Sequence, residues 1–116
     1  MLPARHRIRE RADFTAVVRG KGARRAGGRL MVVHANRLAT RTALPPRVGF
    51  VVSKAVGNAV VRGRTKRRLR AIAGTRLGGI PDGIDIVVRA HPGAALADFD
   101  ELSDAFARAL HKVCGS

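Results

Sequence analysis

The sequence predicts a mixed α/β domain, and three observations carry that expectation. Short apolar runs at strand length alternate with two segments of helical periodicity. A strand, a glycine hinge and an arginine-loaded helix follow one another directly between Arg47 and Arg70 (RVGFVVSKAVGNAVVRGRTKRRLR). Finally, 116 residues with 46% hydrophobic content are enough for one core without metal or disulfide support, so residues 1–116 are read as a single domain.

Residues 1–11 are basic, with Leu2 and Ile8 as the only large apolar groups, and are expected to form an extended arm. Asp13 starts a short helix through Arg19 with Phe14, Val17 and Val18 on one face, ended by Gly20 and Gly22. Residues 23–27 leave room for a short strand, and Arg29–Ala35 reads as a strand with Leu30, Val32 and His34 opposite Met31 and Val33. Pro45 and Pro46 close a polar loop and set an extended entry into Val48–Ser53. Apolar residues on both faces of that run predict a central strand.

Asn58 is the expected N-cap of the next helix, whose core stripe is Val61, Thr65, Leu69 and Ile72. Gly74, Gly78 and Gly79 mark its end. Ile84–Ala90 reads as a strand with Ile84, Ile86 and Val88 facing one way and Asp85, Val87 and Arg89 the other, His91 continuing the second face. Pro92-Gly93 breaks it, and Asp98 with Glu101 forms a capping box for an amphipathic helix to about Lys112.

The formal net charge of +15 calls for a polyanionic partner. Its distribution localises that partner. Residues 1–76 hold 20 Lys and Arg against 2 acids, and residues 77–116 hold 3 against 6. Around the stripe of the second helix stand Arg62, Arg64, Lys66, Arg67, Arg68 and Arg70, with like charges repeated four residues apart. Each such pair costs a helix a few tenths of a kcal/mol unless a polyanion neutralises it. No acid lies between Asp13 and Asp82.

Catalysis by the protein itself is not expected. Phosphodiester hydrolysis needs metal-binding carboxylates or an acid–base pair, and four of the eight acids cluster at the start of the last helix, where capping and the helix dipole account for them. The single cysteine, Cys114, has no disulfide partner, and no Cys/His spacing suits zinc. With no run approaching 18 apolar residues, a cytoplasmic protein with no membrane association is expected.

The stretch Lys54-Ala-Val-Gly57-Asn58-Ala59-Val60-Val-Arg62-Gly63-Arg64-Thr-Lys66-Arg67-Arg68-Leu-Arg70 resembles the pattern K-x-x-G-N-A-V-x-R-N-x-x-K-R-x-x-R of the bacterial ribonuclease P protein subunits. Arg47-Val48-Gly49, Asp13-Phe14, the segment IVVRAHP and the closing amphipathic helix extend the resemblance over nearly the whole chain. It implies a two-layer α/β (α+β) sandwich of ribosomal-protein type. Four strands and three helices would follow in the order αβββαβα, with a left-handed βαβ crossover.

The resemblance also implies a function: partnership with a catalytic RNA, the ribonuclease P RNA, in removing the 5′ leader of precursor tRNA. The RNA and its Mg²⁺ would do the chemistry, and no protein partner would be required. Carried over, the RNA-subunit contacts are Lys54, Asn58, Arg62, Arg64, Lys66, Arg67, Arg68 and Arg70, and the leader contacts are Phe14, Val18, Val33, Ser53, Arg89 and His91. The chain departs from the family at Gly63, where an asparagine is usual, and at Val18 and Val33, where aromatics are common. A ribosomal or nucleoid-type structural nucleic-acid binder is the alternative.

Overall fold

The computed structural model describes residues 2–114. Its elements are α1 (Arg11–Arg19), β1 (Arg24–Gly27), β2 (Met31–Arg37), β3 (Arg47–Val51), α2 (Ala59–Arg76), β4 (Ile84–Ala90) and α3 (Phe99–Cys114), joined by short 3₁₀ turns. The expected order αβββαβα is therefore observed. The four strands form one mixed sheet in the order β1-β2-β4-β3, with β3 and β4 parallel and the other pairs antiparallel.

β3 is an outer strand, not the central one its two-sided apolar pattern predicts. The pattern has another cause. Val48 and Phe50 pack into the main core, while Val51 packs beneath α1 on the opposite face. The free edge is partly occupied by the N-terminal arm, where Arg7 bridges Val48 and the Ile8 N–H donates to the Val48 carbonyl at 3.2 Å.

The arm is more folded than its composition suggests. Leu2 is completely buried in the core, residues Ala4–His6 make a 3₁₀ turn, and His6 Nδ1 donates to the Pro46 carbonyl at 2.7 Å. Pairing of this kind blunts an edge that would otherwise offer its backbone to another chain.

Each face of the sheet has its own apolar cluster. The larger holds Val33, Val48, Ile86 and Val88 of the sheet with Leu69 and Ile72 of α2 and Leu102, Phe106, Leu110 and Val113 of α3. The smaller lies under α1, where Ile8, Val17 and Val87 are buried against Phe14, Val18 and Val51. Asn36 fixes α1 to β2 by donating from Nδ2 to the Ala16 carbonyl at 2.8 Å.

The helix caps form as expected. Asn58 Oδ1 accepts the Val61 N–H at 2.9 Å, and Asp98 and Glu101 exchange side-chain and backbone bonds at 2.8 and 3.0 Å. Gly74 does not end α2, which runs on to Arg76 because Ile72 and Ala73 beside it are buried. Helical propensity is a weak term against that burial.

A buried carboxylate ties the sheet to its surroundings. Asp85 on β4 has no exposure, and its Oδ2 accepts from Arg47 Nε at 3.1 Å and Nη2 at 2.6 Å. Arg47 Nη1 also reaches Asp13 Oδ2 of α1 at 3.3 Å. Arg41 Nε lies 3.3 Å from Asp85 Oδ1, close enough for an ion pair but misaligned for a hydrogen bond. Hydrogen bonding to Asp85 holds the Arg47 guanidinium above its usual pKa despite partial desolvation.

Asp85→Asn removes the charge from this cluster while leaving Arg47 and Arg41 half enclosed. Breaking a buried pair in this way is expected to cost about 3 kcal/mol. Urea denaturation measures it as a lowered midpoint with an unchanged slope.

Candidate nucleic-acid interface

The loop from β3 into α2 sets the direction of the basic helix. Ser53 precedes a 3₁₀ turn of Lys54–Val56, and Gly57 follows with φ 158° and ψ −169°. A Cβ on Gly57 would stand 2.8 Å from Val61 Cγ1, so the first turn of α2 closes over this glycine. The helix is then held by Thr65, Leu69, Ile72 and Ala73, all buried, with Val61 partly so. Thr65, a polar residue in that stripe, satisfies its hydroxyl by donating to the Val61 carbonyl at 2.9 Å.

The cations of α2 divide into groups. Lys54, Arg64 and Arg67 are exposed, whereas Arg62, Lys66 and Arg70 are half-buried. Arg62 Nε is shielded from solvent and has no acceptor among the described residues. A buried donor left so is costly, and an anionic oxygen would relieve it. Arg68 stands apart from the group: its Nη1 donates to the Ala97 carbonyl at 3.2 Å, tying α2 to the approach to α3. Asn58 spends its side-chain oxygen on the helix cap.

Lys66 and Arg70 line a hollow of about 250 Å³ at the outer edge of β3, opposite Arg7 and Arg9 of the arm, with Phe14, Val48, Gly49 and Phe50 between them. Arg7, Arg67 and Arg70 line a second hollow beside it. Four cations and an aromatic ring thus meet where α1, β3 and α2 converge. Gly49 makes the approach of Phe14 possible, since a Cβ there would fall 2.6 Å from ring atoms Cε1 and Cζ. Phe14 is both part of the smaller cluster and half-exposed in the wall of the hollow.

The sequence reading did not single out Arg7 and Arg9. Their signal is the alternation Arg7-Ile8-Arg9, in which buried Ile8 turns its neighbours outward as in a strand.

The predicted leader residues do not all share one surface. Val18 lies with Phe14 in the cluster under α1, and Arg89 is exposed on β4 between its partners Val32 and Val51. Ser53 is exposed just beyond β3, and half-buried His91 follows β4, with its N–H bonded to the Leu30 carbonyl. Val33 is a correction. It is completely buried in the larger cluster, on the face of the sheet covered by α2 and α3. Its neighbours Val32 and His34 face the α1 side, as the register with Arg89 and Val87 requires.

His34 is buried between two cations, its cross-strand partner Arg25 and nearby Arg89. Burial first, then Arg25 and Arg89, lower its pKa. Among the described residues no three His, Cys, Asp or Glu side chains are grouped so as to hold a metal ion. The carboxylates with assigned partners serve structure: Asp85 and Asp13 in the Arg47 network, Asp98 and Glu101 in the cap. No described helix is long and apolar enough to cross a membrane.

A small mixed α/β domain with a cationic helix packed beside a basic, aromatic-floored hollow is the class this geometry defines. The sequence profile of the family Ribonuclease P matches residues 2–114, and the chain belongs to that family. It is 55% identical to the ribonuclease P protein component of Kocuria rhizophila over 89% of this chain and 87% of that one. It is 50% identical to the corresponding protein of Streptomyces bikiniensis over 99% and 97%. The fold superposes on the ribonuclease P protein of Staphylococcus aureus with a TM-score of 0.79, at 26% identity over 95% of each chain. The protein from Thermotoga maritima gives 0.76 at 27% identity, covering 94% of this chain and 98% of that one.

Two outcomes follow from this geometry. A Cβ on Gly63 would meet only the flexible end of Arg67, at 3.4 Å, so Gly63→Ala should raise stability by about 1 kcal/mol, read from denaturant midpoints. The lowered pKa of His34 means that the unfolded chain takes up this proton first as pH falls below 6.5. The contribution is therefore complete above that pH and lost on acidification. His34→Gln should lose less stability than the parent between neutral and mildly acid pH, as thermal melts would register.

Proposed function

We propose that this chain is the protein subunit of a ribonuclease P ribonucleoprotein and takes part in endonucleolytic removal of the 5′ leader from precursor tRNA. The observation that carries the reading is the continuity of α2's cationic surface with the hollow walled by Phe14. One polyanion would lie along Lys54, Arg62, Arg64, Lys66, Arg67 and Arg70, with the orphaned Arg62 Nε as an anion contact. We assign this surface to the ribonuclease P RNA. Arginine suits it, because its planar fork meets phosphate oxygens in pairs.

The unpaired leader would run over the α1 side of the sheet, past Phe14 and Val18 towards Arg89, with Ser53 and His91 at the strand ends. Phe14 would offer a face on which one base stacks, and Arg89 would meet the backbone. Val33 takes no part. Arg68 serves the fold first, through its bond to Ala97.

Mg²⁺, held mainly by the RNA, would supply an activated water and stabilise the leaving oxygen. The protein's share in this reading is to neutralise phosphates and hold the leader in place. The carboxylates already committed to Arg47 and to the α3 cap support leaving catalysis to the RNA.

Reconstitution tests the reading. The chain should stimulate cleavage of precursor tRNA by a bacterial ribonuclease P RNA at low Mg²⁺, and absence of stimulation would overturn it in favour of a ribosomal or nucleoid-type binder. Binding should weaken with salt by a logarithmic slope of about 0.7 to 0.9 per phosphate neutralised. Arg62→Ala with Lys66→Ala should impair assembly. Phe14→Ala should lower affinity for substrates with a leader more than for mature tRNA.

A further inference from the structure

The opposite edge of the sheet carries a second cationic surface. β1 is the outer strand there, and three strand spacings, about 14 Å, separate it from β3. Between β1 and α3 lies a hollow of about 200 Å³. Its rim holds Arg29, from the β1–β2 turn, and Arg108 and Lys112, from the last turns of α3. All three are exposed. The glycines Gly27 and Gly28 form part of its floor. Arg24 and Arg37 line an adjoining hollow beside Val113 and Cys114.

Structure alone does not account for this convergence. The dipole of α3 favours basic residues in its last turn, which covers Lys112 but gives no reason for Arg29 on the facing turn. The ion pairs among the described residues all involve Arg41 or Arg47, so the rim cations repel one another without internal neutralisation. Even Asp104, four residues before Arg108, is not in ion-pair contact with it. The acids of α3 lie at 100–104 and its bases at 108–112, so a helix from the acidic segment of the chain still adds its positive charge to this edge.

We propose that Arg29, Arg108 and Lys112 form a second binding surface for a phosphodiester backbone, separate from the α2 face. The proposal rests on the subunit reading above, because it gives the same polyanion two points of attachment. Among the described residues the exposed large apolar side chains are Leu44, Val60, Leu96 and Phe99, none of which lines this hollow, so the surface described has no group to insert into a lipid layer. It also presents no aromatic anchor of the kind that dominates protein–protein contacts. Exposed guanidinium and ammonium groups over small residues fit a backbone contact without base readout. With cations at both outer strands, the domain clamps two RNA segments at opposite edges of one sheet.

The test is a full-chain variant carrying Arg29→Gln, Arg108→Gln and Lys112→Gln, compared with Arg62→Gln plus Lys66→Gln. Equal melting temperatures for the triple variant and the parent establish folding. A double variant, Arg29→Lys with Arg108→Lys, keeps the charge and should bind as the parent does. If the backbone belongs to the ribonuclease P RNA, the triple Gln variant binds that RNA at least tenfold more weakly. Its salt slope would be shallower by about two. If the backbone belongs to precursor tRNA, binding of the RNA subunit is unchanged and the assembled enzyme binds substrate more weakly. The first result supports the proposal; the second overturns it, because the surface would then hold a different polyanion from the α2 face.

Unchanged binding in both assays, with the Arg62 and Lys66 variant impaired, overturns the second surface and leaves the subunit reading standing. If the parent chain binds ribonuclease P RNA no more tightly than an unrelated RNA, the subunit reading falls and this proposal with it.

Discussion

A carboxylate with no access to water must be answered by cations, and at Asp85 that demand joins parts of the chain that share little else. Arg47 reaches it from β3, Arg41 from the loop before β3, and Arg47 in turn engages Asp13 on α1. In a chain with so few acids, one of them is spent at the crossing of two strands, a loop and a helix. The contact fixes how β3 lies against β4 and how α1 sits over the sheet. The hollow at the β3 edge inherits its shape from both.

Charge has two opposed roles in this molecule. Around Asp85 it is enclosed and matched, and it holds the fold together. Along α2 and at the two outer strands it is unmatched, and repulsion among like charges is tolerated because apolar burial carries the helix. Thr65, Leu69, Ile72 and Ala73 anchor α2 so completely that the remaining face is free to be cationic. Arg68 shows the boundary between the roles: it sits in the basic run, yet its guanidinium is tied to a backbone carbonyl next to α3.

Most of the fold was legible because its elements have strong local signals. Asn58 with the 61–65–69–72 stripe, the exchange between Asp98 and Glu101, and the run Ile84–Ala90 each specify an element without reference to the rest of the chain. What could not be read locally was adjacency. β3 has apolar residues on both faces because it faces two clusters, a pattern an outer strand shares with a central one. The arm reads only as extended because its apolar anchors, Leu2 and Ile8, are isolated in sequence, while Ile8 and His6 find their hydrogen-bond partners, Val48 and Pro46, some forty residues later. Val33 was misplaced for a different reason. Alternation in β2 already sets it opposite polar His34, and the apolar face of a half-covered sheet is the one that turns to the helices.

The strand order has a consequence for the newly made chain. β2 and β3 are adjacent in sequence but not in space, since β4 lies between them and bonds to both. Until residues 84–90 have emerged from the ribosome, each has an open edge and Arg47 has no buried carboxylate to meet. The sheet therefore closes late in synthesis, after the whole cationic segment is already exposed. For that interval the nascent chain is a long stretch of positive charge beside ribosomal RNA, and the arrival of the strand that carries Asp85 is what lets it withdraw into a folded domain.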